Sequence, residues 1–180
     1  MIPAGIGSRD DAVELFGRMG RSRLYWLSMV VIALAAEGIA LYYQYGLNQY
    51  PCVLCIQVRL WVAAIAVVGV LGLILTNNRA GLLTASVLSV VAAIGFAERS
   101  FQTLATETGW IVKLACPMDA GLPWWFDLDQ WFPTIFGVQT SCGPTPEMLF
   151  GVTMAQMLMA MSAVSVVITG LVLAGVVLRR

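Results

Sequence analysis

The chain has 180 residues, of which 59% are hydrophobic and 11% charged, against roughly 45–50% and about 25% in soluble domains. That is too little charge to cover a compact soluble surface, and ten basic against ten acidic residues give no reason to expect a nucleic-acid partner. Four cysteines stand beside no histidine, which excludes imidazole metal sites, haem attachment through Cys-x-x-Cys-His, and Ser/His or Cys/His catalytic pairs within this chain.

The first 23 residues form a polar tail with Arg9, Arg18, Arg21 and Arg23. Asp11 and Glu14 suit a helix start, and Val13, Leu15, Phe16 and Met19 offer a short apolar face to a membrane; a partly disordered tail is an equal expectation. An apolar run follows at 24–45, with Glu37 as its one charge. It is too long for a signal-peptide core and reads as a retained signal anchor. A short connection, 46–55, holds a Cys-x-x-Cys and leads to a second run, 56–75, with Arg59 near its start. Residues 76–81 connect to a third run, 82–104, which carries Glu98 and Arg99 late. A long connection, 105–156, precedes a fourth, uncharged span at 157–178, with 148–156 assigned to the interface.

Each run reaches the roughly 20 residues that cross a hydrocarbon core. Lipid offers no partners to backbone groups, so helices are the form to expect, and the alternation of barrel strands is missing. The expected fold is an all-α membrane protein: one membrane domain, 1–180, built as a four-transmembrane-helix bundle. A short interfacial helix is expected in the second outer loop, at 127–132 ahead of Pro133, among the aromatics Trp110, Trp124, Trp125, Phe126, Trp131, Phe132 and Phe136.

Basic residues near span ends set orientation. Arg9, Arg18, Arg21, Arg23, Arg79, Arg179 and Arg180 fall on one side, which is taken as cytoplasmic, with both termini. The other side has Lys113 against Glu107, Asp119, Asp127, Asp129 and Glu147. All four cysteines lie there: Cys52 and Cys55 at the outer end of the second span, Cys116 and Cys142 in the long loop. Buried structural cysteines would scatter through the spans. Their co-location argues for disulfide chemistry in an oxidising compartment. Four cysteines allow three pairings, and neither spacing nor reach chooses among them.

Pro51 suits the first turn of a helix, which puts Cys52 and Cys55 in the first turns of the second span. There the helix dipole favours a thiolate. Arg59 lies four residues beyond Cys55 on the same face and would stabilise a Cys55 thiolate; a snorkelling anchor is its plainer reading. A four-cysteine zinc site is conceivable but ill suited to an oxidising compartment. Glu37 falls in the outer half of its span, either as a functional carboxyl or as a side chain bonded to a neighbouring helix. Arg99 reads mainly as an interfacial anchor. Met154, Met157, Met159 and Met161 read as helix packing.

The segment Pro51-Cys52-Val53-Leu54-Cys55-Ile56 with Arg59 resembles the disulfide bond formation protein B (DsbB) family of bacterial inner-membrane oxidoreductases. Glu37, Arg99-x-x-Gln102, Cys116, Leu128-Asp129-Gln130-Trp131-Phe132-Pro133 and Cys142 follow in the family order. The resemblance implies a thiol:quinone oxidoreductase in the inner membrane, with its cysteines facing the periplasm. Cys116 and Cys142 would form the loop pair that oxidises a periplasmic DsbA-like thioredoxin-fold partner. Cys142 would exchange with Cys52, and Cys55 with Arg59 would face a membrane quinone, ubiquinone or menaquinone. No metal and no nucleic acid enter that scheme; the membrane supplies lipid and the quinone pool. Two departures stand out: Val58 sits where the family often has an acid, and the family histidine at the outer end of the third span is absent, with Glu107 nearby.

Two other classes compete. A vitamin K epoxide reductase-like enzyme would carry its Cys-x-x-Cys at the last helix. A four-span structural protein with disulfide-stapled outer loops, resembling claudins, would have a long first outer loop, and its staples would resist mild reductant, whereas redox-active pairs yield to it.

Overall fold

The computed structural model describes residues 7–110, 128–143, 145–148 and 151–178. Seven helices follow in chain order: α1 (Gly7–Arg21), α2 (Arg23–Gly46), α3 (Val53–Leu75), α4 (Arg79–Glu107), α5 (Leu128–Trp131), α6 (Pro133–Phe136) and α7 (Met154–Leu178). Four of them, α2, α3, α4 and α7, contain the four apolar runs and are long and apolar enough to cross a membrane. Among the described residues the only β pairing is an isolated bridge between Glu147 and Thr153. The protein is an all-α, four-span membrane protein.

Local chemistry sets where the helices begin. Ser22 caps α2 by accepting from the Leu24 amide at 3.3 Å, and Asn78 caps α4 by accepting from the Ala80 amide at 3.2 Å. Cys52 caps α3 in the same way, its Sγ accepting from the Cys55 amide at 3.4 Å. Helix α7 starts at Met154, a turn ahead of the expected fourth span.

The spans are inside-out relative to a soluble bundle. Large apolar side chains are exposed along all four, among them Ile32 and Leu34, Val67 and Ile74, Val91 and Ile94, and Val164 and Val167. Lipid solvates such surfaces without penalty. Buried between the helices are small polar residues, including Ser86, Ser89, Thr103, Ser162 and Thr169. Each of these hydroxyls donates to a carbonyl of its own helix at 2.8–2.9 Å. Small residues let backbones approach where no hydrophobic effect drives association.

Two tryptophans exploit that closeness. Trp26 lies fully buried with its ring against Gly72 of α3, and the half-buried Trp61 sets its ring against Gly95 of α4. The Trp26 indole also donates to Gly20 O at 2.8 Å. This bond ties α1 to α2 at the bundle end away from the cysteines. Residues 7–21 of the tail therefore form a helix that docks on the bundle. Phe16 and Met19 pack on the core cluster that holds Val172 and Val176, and the backbone of α1 at Gly17 meets Gly175.

A Cβ at Gly72 would stand 2.1 Å from the Trp26 ring, whereas one at Gly38 would meet nothing within 4 Å. Gly72→Ala should lower the thermal midpoint of the detergent-purified protein, by an overpacking cost of about 1–3 kcal/mol. Gly38→Ala should leave the midpoint unchanged.

Candidate functional site

The site is built at the N-terminus of α3. Helix α3 begins at Val53, so Cys52 is the N-cap and Pro51 lies outside the helix. This differs from the placement of Pro51 in the first turn. The reason is the Cys52 sulfur, which takes the capping role, leaving Pro51 to offer its carbonyl to the Gln139 amide at 3.0 Å. The two thiols face each other with 2.9 Å between the Sγ atoms. Both are free; Cys52 is buried and Cys55 half-buried.

Hydrogen bonding from Cys55 holds the Cys52 thiol below the ordinary range, at about 7, against the opposing effect of burial. In the folded pair the two sulfurs share one hydrogen bond that either can donate; sequence reasoning put the thiolate at Cys55.

Cys142 is disulfide-bonded. It packs, with Val138, against the buried cluster of Cys52, Val53 and Leu54. Three of the four expected site cysteines therefore converge. Cys116 lies outside the described residues.

Arg59 is 7% exposed, so it does not snorkel. Its Nη1 donates to Gln44 Oε1 at 2.6 Å and to Ile135 O at 3.2 Å, and its Nη2 donates to Ala40 O at 3.1 Å. A guanidinium has five N–H donors. Three are committed to the protein, and Nε–H and one Nη2–H have no partner among the described residues. Gln44, which sequence reasoning passed over, is 3% exposed. Its amide nitrogen donates to Thr134 O at 3.1 Å, and the Tyr45 hydroxyl donates to the same carbonyl. These contacts dock α6 on the cysteine-bearing end of the bundle, against α2 and α3. The available signal was a polar residue seven positions after Glu37, on the same face of an apolar helix.

The interfacial segment itself is two short helices rather than one. Phe132 breaks the chain between them, and Pro133 starts α6 because a proline suits the first helical position. Trp110, Trp131 and Phe132 are exposed, as residues of a membrane–water belt would be.

A cavity of about 770 Å³ opens beside the thiols, between α2, α3, α7 and the segment before α7. Cys52, Cys55 and Arg59 line one end. Ile32 and Ile39 of α2 and Met157, Leu158 and Met161 of α7 form apolar walls. Glu37 also faces it. Met154, Met157 and Met161 are thus cavity wall, while Met159 is not among the lining residues.

Of the other polar residues, Glu98, Arg99, Gln102 and Glu107 are not among those lining this cavity. Arg99 donates to Gln57 Oε1 at 3.0 Å and Gln102 Oε1 at 3.2 Å, and Gln102 donates to Glu98 at 3.0 Å. Glu107 accepts from the hydroxyls of Thr145 at 2.9 Å and Thr153 at 3.2 Å. It latches the end of α4 to the segment leading into α7.

Two outcomes follow. Because the Cys52 thiol is lowered, its alkylation should rise with pH through about 7. In Cys55→Ala the hydrogen-bond donor is gone, so the midpoint should move up toward the ordinary thiol range near 8.5; peptide-resolved mass spectrometry reads both. Gln44→Leu leaves Arg59 and Thr134 O short of a partner. It should cost about 1–3 kcal/mol in thermal stability and expose the segment around 134–139 to protease.

A family model described as "Disulfide bond formation protein DsbB" matches residues 22–172. Disulfide bond formation protein B of Haemophilus influenzae (strain 86-028NP) is 32% identical over 167 residues, covering 93% of this chain and 94% of the relative. The protein of the same name from Shewanella sp. (strain MR-4) is 30% identical over 156 residues, at 78% and 81% coverage. That from Pasteurella multocida (strain Pm70) is 29% identical over 160 residues, at 89% and 90%. Cys52, Cys55, Arg59 and Cys142 all lie within the matched span. The chain belongs to the DsbB family of disulfide bond formation proteins, membrane oxidoreductases of disulfide formation.

Proposed function

We propose that the protein reoxidises a periplasmic DsbA-like dithiol protein and passes the electrons to a membrane quinone, ubiquinone or menaquinone. The observation that carries this reading is the arrangement at the head of α3. A free thiol pair lies on the wall of an apolar cavity, with disulfide-bonded Cys142 packed beside it.

The steps balance as two exchanges and one oxidation. A thiolate of the partner attacks Cys116 of a Cys116–Cys142 disulfide, and the partner's second thiol closes its own disulfide, leaving Cys116 and Cys142 reduced. Cys142 then attacks Cys52 of an oxidised Cys52–Cys55 pair, and Cys116 resolves the mixed bond. The loop pair is again a disulfide, and Cys52 and Cys55 are thiols. Free Cys52 and Cys55 beside bonded Cys142 match this stage. Cys52 and Cys55 finally close to a disulfide and release two electrons and two protons. A quinone supplies the two-electron, two-proton acceptor and leaves as quinol.

The residues present suit such an acceptor. The cavity walls are apolar, as a ring with a prenyl tail requires. Cys55 and Arg59, which keeps two N–H groups uncommitted among the described residues, both line it. Re-forming the Cys52–Cys55 disulfide needs a thiolate in the reduced pair, and Cys52, held at about 7, supplies one near neutral pH. The excess of arginines at the other end of the bundle supports cytoplasmic termini and periplasmic cysteines in the bacterial inner membrane.

Cys55→Ser should abolish quinone reduction by the purified protein, while a reduced thioredoxin-fold partner still forms a mixed disulfide at Cys116. A Cys55→Ser variant that reduces quinone at the parental rate would refute the assignment. Replacement of all four cysteines should remove partner oxidation altogether.

A further inference from the structure

Glu37 is the one acidic side chain among the described residues lining the cavity. Its Oε1 is shut off from solvent and has no hydrogen-bond partner among the described residues. The reading of Glu37 as a side chain bonded to a neighbouring helix therefore loses its support. No salt bridge among the described residues reaches it, the one described being Arg18–Glu14; Arg59 acts on it only through space. An ionised carboxylate left unpaired in an apolar span is costly. A carboxylic acid there is a donor with no protein acceptor.

Its placement is specific. Residues 37, 40 and 44 follow one face of α2 at helical spacing. Ala40 O and Gln44 Oε1 receive the Arg59 guanidinium, and Glu37 continues that face one turn further from the cysteines. Arg59 from α3 and Glu37 from α2 thus meet the same cavity, each with unspent hydrogen-bonding capacity. The other titratable groups lining it are Cys52, Cys55, Tyr43 and Tyr50; α7 contributes only Met154, Met157, Leu158 and Met161.

We propose that Glu37 holds and delivers one of the two protons that a quinone takes up on reduction. This inference rests on the quinone reading above. The balance closes without a further reactant. Cys52 and Cys55 give two electrons and two protons as their disulfide forms. Glu37 donates a proton to a quinone oxygen and regains one from those the thiols release, so the products are a disulfide and a quinol, with Glu37 unchanged.

The test uses the full chain in detergent, with a decyl-tailed benzoquinone as probe. In Glu37→Gln, quinone reduction should fall about 100-fold, at the lower end of what general acid catalysis contributes. Reduction of the Cys52–Cys55 pair by an added dithiol should be unchanged. The parental rate should rise with pH as thiolate forms and fall once the acid form of Glu37 is lost. Glu37→Gln should keep the rise and lose the fall, and Glu37→Asp should recover part of the rate. A readout without turnover comes from a Cys52→Ala/Cys55→Ala background. Adding the probe should shift a protonated-carboxyl infrared band that carbon-13 glutamate labelling moves and Glu37→Gln removes; it also stands if Glu37→Gln alone fails to fold. An active parent whose Glu37→Gln variant keeps its rate and pH profile, or a probe-insensitive carboxyl band, would overturn the role of Glu37 alone. A parent that fails to reduce the probe would instead overturn the quinone reading itself.

Discussion

A guanidinium buried in an apolar span has to find acceptors, and Arg59 finds them on two other elements. Ala40 and Gln44 on α2 and Ile135 on α6 take three of its five N–H groups. Without them the charge would be stranded among apolar walls, a penalty of several kcal/mol by the general cost of unpaired buried charge. The clamp does more than satisfy Arg59. It fixes α3 to α2 at the depth of the cavity and pins the α6 backbone over the bundle end. Gln139 then reaches Pro51 O, and Cys142 comes to rest against Cys52. The juxtaposition of a loop cysteine with the membrane-edge thiols is thus a consequence of satisfying one buried cation. That cation faces the cavity with what hydrogen-bonding capacity remains.

The rest of the bundle is held by close approach rather than by apolar collapse. Glycines on α3 and α4 receive tryptophan rings, and buried serine and threonine hydroxyls turn back to their own helices. Such an interface tolerates no added atoms on one side and offers lipid a greasy surface on the other. At the cysteine end, polar contacts stand beside the buried cluster of Cys52, Val53 and Leu54.

The four spans were legible because a span is a statement about composition over about 20 residues, and neither Glu37 nor Arg59 disturbs it. Cys52, Cys55 and Arg59 were legible because their spacing puts them on one helical face. The path of a long side chain was not. Arg59 was expected to serve Cys55, and two of its five N–H groups turn out to be directed at backbone carbonyls, one of them on α6, 76 residues along the chain. Gln44 escaped notice because its one signal, sharing a face with Glu37, gains meaning only from Arg59 and Thr134. Pro51 was read by its helix-starting habit, but a sulfur that caps α3 displaced it to the position before the cap. The tail was read as a membrane-surface or disordered segment. Nothing in its own residues announces Gly175, the glycine on α7 that lets α1 pack so closely. Cys116 belongs to the loop pair by resemblance alone.

The latch between Glu107 and the two threonines, Thr145 and Thr153, changes what the cavity wall is made of mechanically. None of the described cavity-lining residues comes from α4, yet the end of α4 holds the strand of chain that supplies Thr145, Pro146 and Met148 to the wall. The width of the opening on that side is therefore set by a helix that never touches what enters it. Evolution of this helix end retunes the fit of the chamber remotely, leaving the thiols and Arg59 as they are.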